Sequence, residues 1–285
     1  MRLLSFGHGY SAQALADILL PLGWQIRATT RSKEKFNKIK KPGILVRLWS
    51  DQSLSDDLDW ATHLLISIAP DKYEDLVLKE FREKIIKNIK QFKWVGYLST
   101  TGVYGNHDGG WVDEEEKLIP STLRGQYRVD AEKEWLRLFN LYNLPIHIFR
   151  LAGIYGPGRG PFSKVKSGSA RRVIKKNQLF SRIHVEDIAQ TLSASILKPN
   201  PGAIYNVCDD RPAPPEEVIS YAAQLLGLPD PPKVKFEDAD MTDMARSFYL
   251  ESKKVRNDKI KNELGVLLKY PNYKVGLRAL IKEEI

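Results

Sequence analysis

Apolar runs and segments with helical spacing alternate through the first half of the chain. Short apolar runs predict six strands: Leu3–Phe6, Trp24–Thr29, Ile44–Leu48, His63–Ile68, Trp94–Ser99 and Ile146–Leu151. Apolar residues that recur three and four positions apart predict helices between them, the longest being Tyr73–Lys90 and Gly125–Tyr142. Strands that alternate with helices at this spacing form a parallel sheet covered on both faces. The pattern therefore predicts an α/β fold.

The second half of the chain is less regular. Gly153–Pro161 is rich in glycine and proline and predicts a loop, whereas Val185–Leu197 has helical spacing and follows a short strand at Ser181–His184. Ala203–Val207 predicts a last strand, and the remaining residues hold a further helix and a terminal helix. We expect this part of the chain to contribute a smaller lobe.

Charge and composition narrow the class of partner. The chain has 285 residues and a formal net charge of +9, but its lysines are scattered, and their short clusters at Lys33–Lys41 and Lys79–Lys93 fall within predicted helices. A solvated basic surface is the simpler interpretation, because no RNA-binding or helix-turn-helix pattern is present. No zinc-ligand spacing occurs either, so we expect neither nucleic acid nor a metal.

Cysteine usage and hydropathy indicate the compartment. Cys208 is the single cysteine, so no disulfide forms within the chain and a reducing compartment fits. No signal-peptide pattern precedes Gly7, and no apolar run reaches the roughly 18 residues that span a bilayer. We expect a cytoplasmic protein without a membrane partner.

A glycine turn follows the first predicted strand and opens the first predicted helix. It has the pattern Gly-x-Gly-x-x-Ala: Gly7, His8, Gly9, Tyr10, Ser11 and Ala12. Gly7 permits the tight turn, Gly9 lets the backbone approach a pyrophosphate, and Ala12 is small enough for close helix–strand packing. The helix N-terminus favours an anion at this point. The turn predicts a dinucleotide site with Gly7, Gly9, Tyr10, Ser11 and Ala12 as contacts.

The end of the second strand bears on which nicotinamide cofactor binds. An NAD site places an acid about 20 residues after the turn, but here the strand ends in Thr30, Arg31 and Ser32. Arg31 can bind a 2′-phosphate through charge-assisted hydrogen bonds. NADP is therefore favoured over NAD, with Thr30 and Ser32 beside the phosphate. The alternative is that Arg31 is a solvated loop residue.

Four later motifs complete a family pattern. They are Ser99-Thr100-Thr101-Gly102-Val103-Tyr104-Gly105, Arg150-Leu151-Ala152-Gly153-Ile154-Tyr155-Gly156-Pro157-Gly158, Arg182-Ile183-His184-Val185-Glu186-Asp187-Ile188-Ala189 and Tyr205-Asn206-Val207. With the glycine turn, they resemble the extended short-chain dehydrogenases/reductases of the sugar-nucleotide epimerase/dehydratase superfamily. The resemblance spans about residues 1–207 and implies a sugar or sugar-nucleotide substrate.

The resemblance also implies how the chain is divided. The Rossmann-type doubly wound sheet would take residues 1–152 and about 181–207, and a smaller C-terminal substrate lobe would take about 153–180 and 208–285. In relatives, two helices per subunit form a homodimer, and here these would be Tyr73–Lys90 and Gly125–Tyr142.

Site residues transfer position by position from the family pattern. Thr100 matches the serine or threonine that polarises the substrate oxygen, close to the cofactor. Ser67, Ile68 and Ala69 end the fourth strand, where the family's backbone passes the cofactor. Tyr104 is expected in the substrate pocket. The alternatives are a strand-end hydroxyl bonded to backbone for Thr100 and a buried aromatic for Tyr104.

The family's Tyr-x-x-x-Lys pair is absent. Arg124 stands at the tyrosine position and Arg128 at the lysine position, and a guanidinium makes a very poor acid or base. A shifted frame uses Tyr127 but leaves Ala131 where the lysine belongs. The two arginines would clamp an anionic substrate group, or they are surface residues that pair with Glu132 and similar neighbours. Tyr127 is a candidate for an unassisted acid.

Two functions of different class remain open. The first is an NADP-dependent oxidoreductase or epimerase whose proton donor would be Tyr127, a glutamate of Glu114–Glu116, or water. The second is a sensor that holds NADP(H) without turning it over, because the Tyr/Lys pair is lost. The retained pocket motifs favour the enzyme.

Overall fold

The computed structural model describes residues 1–284 and contains thirteen strands within them. In chain order they are β1 (Arg2–Phe6), β2 (Gln25–Thr30), β3 (Ile44–Leu48), β4 (His63–Ile66), β5 (Trp94–Thr100), β6 (Trp111–Val112), β7 (Ile146–Leu151), β8 (Gly153–Tyr155), β9 (Arg172–Ile174), β10 (Arg182–His184), β11 (Ile204–Val207), β12 (Lys233–Lys235) and β13 (Lys254–Val255).

Eleven α-helices lie among the same residues. They are α1 (Tyr10–Leu19), α2 (Lys33–Ile39), α3 (Leu54–Trp60), α4 (Leu76–Lys87), α5 (Leu123–Tyr142), α6 (Phe162–Lys166), α7 (Val185–Leu197), α8 (Pro215–Leu225), α9 (Asp243–Phe248), α10 (Asp258–Asn262) and α11 (Tyr273–Glu284).

Seven strands form one sheet in the order β3-β2-β1-β4-β5-β7-β11, and every neighbouring pair is parallel. The chain builds outward from β1 to β3 and then returns to the other side of β1 with β4. In open α/β sheets the crevice at this switch point, above the carboxyl ends of the strands, is where ligands bind. The predicted Rossmann-type doubly wound sheet is confirmed.

Helix ends depart from the predicted bounds where a side chain caps the helix. The helix predicted from Tyr73 begins at Leu76, because the Asp75 carboxylate accepts hydrogen bonds from the first-turn N–H groups of Val77 and Leu78. The helix predicted from Gly125 begins at Leu123, after Thr122, whose hydroxyl accepts a bond from the Gly125 N–H. Capping groups fix the first turn more strongly than apolar spacing does.

Helix α3 and strand β8 are among the elements that were not predicted from the sequence. The short helix α3 carries three acids among its seven residues and shows too little apolar spacing to be recognised. The predicted loop Gly153–Pro161 contains strand β8, which pairs in parallel with β10. Such a pairing depends on residues distant in sequence, so the local glycine and proline content did not reveal it.

Apolar side chains pack on both faces of the large sheet, and a separate cluster lies in the second half of the chain. Trp94 and Phe149 belong to the cluster on one face, and Trp135 to that on the other. The separate cluster includes Tyr155 and Leu277. The two-domain division of the chain remains a prediction.

Within residues 1–284, no helix combines the length and apolarity needed to cross a membrane.

Candidate functional site

The glycine turn joins β1 to α1 with little space to spare on one side and open space on the other. Gly7 has φ +77°, and a Cβ there would lie 2.7 Å from Cγ1 of Ile68. The Gly7 N–H donates to Oγ1 of Thr29 at 2.9 Å, which anchors the turn to β2. A Cβ on Gly9 would meet its nearest atom, the Gly7 carbonyl oxygen, only at 3.9 Å. The backbone at Gly9 can therefore be approached closely by a ligand.

The N-terminus of α1 has no side-chain cap. Gly9 occupies the N-cap position without a side-chain bond, whereas Ser32, Asp75 and Thr122 cap α2, α4 and α5 through their side chains. No side chain therefore caps the N-terminus of the ten-residue helix α1, a position that favours an anion. Ala12 is 1% exposed and packs in the core beneath the sheet, as the pattern predicts for the small residue. This geometry fits the pyrophosphate of a dinucleotide.

One cleft of about 690 Å³ lies above the carboxyl ends of the central strands. Its cofactor-side lining includes Gly9, Tyr10, Ser11, Ser67, Thr100, Gly102 and Arg128. Its opposite wall comes from the second half of the chain and includes Arg159, Arg182, Phe248, Tyr249, Glu251 and Lys253. The cleft thus brings the glycine turn and the later, motif-poor segment together around one volume.

Thr100 and Ser67 both reach the cleft. The Thr100 hydroxyl accepts a bond from the Gly102 N–H at 3.1 Å, so its own hydrogen remains available to donate. The Ser67 hydroxyl donates to the Gly7 carbonyl, which ties the end of β4 to the glycine turn. Ile68 packs against Gly7, and the exposed Ala69 follows it outside the cleft lining.

Thr30, Arg31 and Ser32 lie outside the cleft lining, at the carboxyl end of β2. Arg31 is exposed and has no hydrogen-bond or ion-pair partner among the side chains that the structure describes. Its strand neighbour Thr29 contacts the turn directly, since the Thr29 carbonyl accepts a bond from the His8 N–H at 3.0 Å. Arg31 therefore lies two residues after Thr29, which contacts the glycine turn, and its guanidinium has no partner among the described residues.

Tyr104 does not line the substrate pocket, and this prediction needs correction. The residue is fully buried, donates to Oδ1 of Asn206 at 2.7 Å and accepts from Nη1 of Arg150 at 2.8 Å. Burial raises the pKa of its hydroxyl to about 12. The 3₁₀ turn Thr101–Tyr104 directs the ring into the core, so the buried-aromatic alternative is the one observed.

The two arginines at the Tyr/Lys positions take different directions. Nη2 of Arg124 donates to Oγ of Ser247 at 2.7 Å, and the guanidinium lies 5.7 Å from the centre of the Phe248 ring. Arg128 instead enters the cleft, where Nη1 donates to the Leu98 carbonyl at 2.7 Å. The prediction that both arginines reach one substrate group is therefore not met, because Arg124 is engaged with α9.

The predicted partner of the arginines is engaged elsewhere. Glu132 forms its ion pair with Arg150 at 2.8 Å, so the alternative that pairs Arg128 with Glu132 is wrong. Tyr127 lines a separate small cleft of about 90 Å³ between α4 and α5 and does not line the cleft with Thr100. Glu114, a glutamate considered as a proton donor, accepts a bond from the Asn206 N–H at 2.8 Å, outside that cleft.

Sequence reasoning missed the residues of the opposite wall. Arg182 lies within a family motif, but nothing there assigned it to the site, and its guanidinium donates to the carbonyls of Phe180 and Ala213. Glu251 and Lys253 belong to a stretch without any motif. The pairing of β13 with β6 brings this stretch to the cleft, and no local pattern in the sequence predicts a contact between segments so far apart.

Comparisons with known proteins agree with this architecture. No sequence model of a protein family matches the chain. A solved structure of a functionally unknown conserved protein from Silicibacter pomeroyi is 58% identical, with a TM-score of 0.94 over 99% of this chain and 98% of that one. Protein YeeZ of Escherichia coli K12 is 28% identical over 279 residues, which cover 93% of this chain and 95% of YeeZ.

The chain also shares its fold with an enzyme of known structure. The dTDP-glucose 4,6-dehydratase of Bacillus anthracis, solved in complex with NAD, is 18% identical, with a TM-score of 0.78 over 99% of this chain and 96% of the enzyme. The resemblance seen in the motifs is thereby confirmed at the level of the fold. The chain belongs to the same family as the functionally unknown conserved protein of Silicibacter pomeroyi, and it has the fold seen in solved structures of sugar-nucleotide epimerases and dehydratases.

Proposed function

We propose that the chain is an NADP-dependent oxidoreductase or epimerase that acts on a sugar or sugar nucleotide. The observation that carries this proposal is the cleft of about 690 Å³, which joins the open backbone of Gly9, the hydroxyl of Thr100 and a charged wall from the second half of the chain. A dinucleotide site alone would need no such second wall. The dehydratase of similar fold holds NAD in its structure and is named for a dTDP-sugar.

Each part of the cleft has a task in this proposal. The N-terminal turn of α1 holds the pyrophosphate, and the bound nicotinamide supplies hydride exchange. The Thr100 hydroxyl donates a hydrogen bond to the reacting substrate oxygen, since its oxygen is already held by the Gly102 N–H. Arg128, Arg159, Arg182 and Lys253 outnumber the one acid, Glu251, along the lining, so the cleft favours an anionic substrate.

Arg31 carries the proposed preference for NADP over NAD. Its guanidinium is exposed and has no partner among residues 1–284, so it is available to a 2′-phosphate. A charge-assisted hydrogen bond of this kind contributes about 1.5–3 kcal/mol. Arg31→Ala should therefore raise the Kd for NADPH at least about tenfold and leave the Kd for NADH unchanged.

Fluorescence titration of both cofactors measures this preference. Lys38→Ala is the matched control, because Lys38 is an exposed cation of the following helix that pairs with Glu34. Equal Kd values for NADPH and NADH in the wild type, unchanged in Arg31→Ala, would contradict the NADP proposal.

Turnover is tested by the near-ultraviolet absorbance of the reduced cofactor, with UDP-glucose, dTDP-glucose and simple aldehydes as probes. Loss of the Thr100 hydroxyl in Thr100→Ala should lower kcat by about 100-fold, because one aligned donor to a developing oxyanion contributes that much. A Thr100→Ala variant that keeps the wild-type rate would remove Thr100 from the chemistry.

One observation favours the second function, a non-catalytic NADP(H) sensor. The residue at the family's tyrosine position, Arg124, is held against Ser247, and Tyr127 lies in another cleft, so neither supplies a proton beside Thr100. Tight NADPH binding by a wild type that turns over none of the probes would support the sensor.

A further inference from the structure

Glu251 and Lys253 lie at the cleft on either side of Ser252, which is held in place by hydrogen bonds. Ser252 between them donates from its N–H to Oδ1 of Asn106 at 2.8 Å and from its hydroxyl to the Asn177 carbonyl at 2.6 Å. Its neighbours on both sides line the cleft. With Ser252 held outside the cleft by these bonds, the charged residues on either side of it, Glu251 and Lys253, both line the cleft.

The two charged side chains form a buried pair. Nζ of Lys253 lies 2.5 Å from Oε2 of Glu251, and their side chains are only 9% and 12% exposed. Nζ also donates to the Gly105 carbonyl at 2.8 Å, at the end of the turn that follows Thr100. Among the described residues these are its two acceptors, which leaves one N–H of the ammonium without a partner.

A buried ion pair of this kind is weak evidence for a role in stability. Removing two charges from water costs several kcal/mol per ion, and apolar residues of similar volume often serve stability as well. Charged pairs with incomplete hydrogen bonding inside a cleft are typical of functional sites.

The other titratable groups of the cleft are poorly suited to proton transfer near neutral pH. Guanidinium groups stay protonated. Burial raises the pKa values of Tyr155 and Tyr249, which makes their hydroxyls weaker acids. The Tyr10 hydroxyl donates to the Pro157 carbonyl at 2.9 Å. Burial has the opposite effect on Lys253, since it lowers the pKa of the ammonium and makes it a stronger acid.

We propose that Lys253, positioned by Glu251, is the acid–base residue of this cleft and stands in for the tyrosine that the superfamily uses. The inference rests on the proposed function. In the reductive direction, the substrate carbon accepts a hydride from the reduced nicotinamide cofactor while the carbonyl π electrons pass to oxygen. The Lys253 ammonium donates its free proton to that oxygen and is left as a neutral amine, which water reprotonates. Oxidation of the alcohol reverses both transfers.

Glu251 has a positioning role in this scheme. Its carboxylate holds Nζ beside the Gly105 carbonyl and favours the charged form of the lysine. Glu251→Gln should therefore lower the pKa of Lys253 further and shift the pH profile of kcat in the same direction. A carboxylate that only stabilised the fold would leave the pH profile of kcat unchanged, although the pKa of Lys253 would still fall.

The titration of Lys253 is measured directly and without turnover. The lysines are reductively methylated with ¹³C-formaldehyde, and the dimethylamine signal of Lys253 is assigned by its absence in Lys253→Arg. Its titration should lie below that of a methylated lysine peptide. A Lys253 signal that titrates with the peptide, or a lysine that the reagent never reaches, would overturn the proposal.

Turnover is then compared among variants with UDP-glucose and dTDP-glucose as probes. Lys253→Arg keeps the charge but cannot release a proton, so kcat should fall about 100-fold or more, while the Kd for NADPH stays within about twofold of the wild type. Lys254→Met is the matched control, because the neighbouring ammonium lies over the Trp111 ring instead of in the cleft. Thermal unfolding followed by circular dichroism verifies that each variant is folded.

The outcomes separate the two proposals. Failure of the wild type to bind NADPH overturns the proposed function. NADPH binding without turnover of any probe supports the sensor and overturns the acid–base role of Lys253. Turnover that survives in Lys253→Arg with an unchanged pH profile overturns the acid–base role alone.

Discussion

A buried ion pair behind the cleft allows a sharp prediction about stability. Arg150 on β7 donates to both carboxylate oxygens of Glu132 on α5, from Nη2 to Oε2 at 2.8 Å and from Nε to Oε2 at 3.2 Å and Oε1 at 3.3 Å. Both side chains are at most 3% exposed. The same carboxylate accepts a bond from the Ser99 hydroxyl, and the same guanidinium donates to the Tyr104 hydroxyl at 2.8 Å. The pair therefore joins α5 to the strands that carry Thr100.

Glu132→Gln removes the negative charge with almost no change in shape. Arg150 then remains buried without a counter-charge, and breaking a buried pair in this way costs about 3–5 kcal/mol of the free energy of unfolding. An unfolding entropy of about 2.1 cal/mol/K per residue amounts to roughly 600 cal/mol/K for a chain of 285 residues. The Tm should therefore fall by roughly 5–8 °C.

Thermal and urea unfolding followed by circular dichroism provide the measurement. Glu134→Gln is the control, since Glu134 is 40% exposed and its pair with Arg82 should contribute less than about 1 kcal/mol. Replacing both buried partners, as Glu132→Leu with Arg150→Met, should recover most of the lost stability. A Glu132→Gln variant that loses less than about 1 kcal/mol would refute the reasoning.

Two further predictions concern the glycine turn and a buried histidine. Gly7→Ala should lower the free energy of unfolding by about 1–3 kcal/mol, because φ is +77° and the new Cβ would overlap Ile68, whereas Gly9→Ala should leave stability unchanged and raise the Kd for NADPH about tenfold or more. Urea unfolding and fluorescence titration measure the two effects, and equal effects of both variants on both quantities would contradict this assignment. Burial lowers the pKa of His147 to about 4, and its Nε2 accepts a bond from the Asn200 N–H, so the unfolded chain binds the proton first as the pH falls. Stability should therefore be lost between about pH 6.5 and pH 4, by about 2 kcal/mol at pH 5 from this one group, and an imidazole that titrates near 6.5 by NMR would rule that out.

Local patterns in the sequence were enough to predict the sheet and the glycine turn. Buried parallel strands appear as apolar runs, and Gly7, Gly9 and Ala12 meet steric requirements that a strand–turn–helix imposes within a few residues of chain. Helix ends were less well predicted, because Asp75 and Thr122 set them through single hydrogen bonds that apolar spacing does not record.

The positions and partners of individual side chains could be learned only from the tertiary structure. Arg124 and Arg128 stand four residues apart on one helix, yet the first turns to Ser247 at the rim and the second enters the cleft beside Leu98. Their partners lie on segments far away in the sequence, and no local pattern specifies them. Tyr127 was misplaced for the same reason, since only the packing of α4 against α5 shows which cleft it lines.

The sequence by itself determined that this protein is an α/β sheet with a dinucleotide turn and without the Tyr/Lys pair. Only the tertiary structure decided which ionisable side chains line the cleft of a chain that lacks this pair. Lys253 and Glu251 reach it because β13 pairs with β6 and because Ser252 is anchored between them. The hydrophobic periodicity of a segment depends only on its own residues, whereas a contact between distant segments depends on how the whole chain packs.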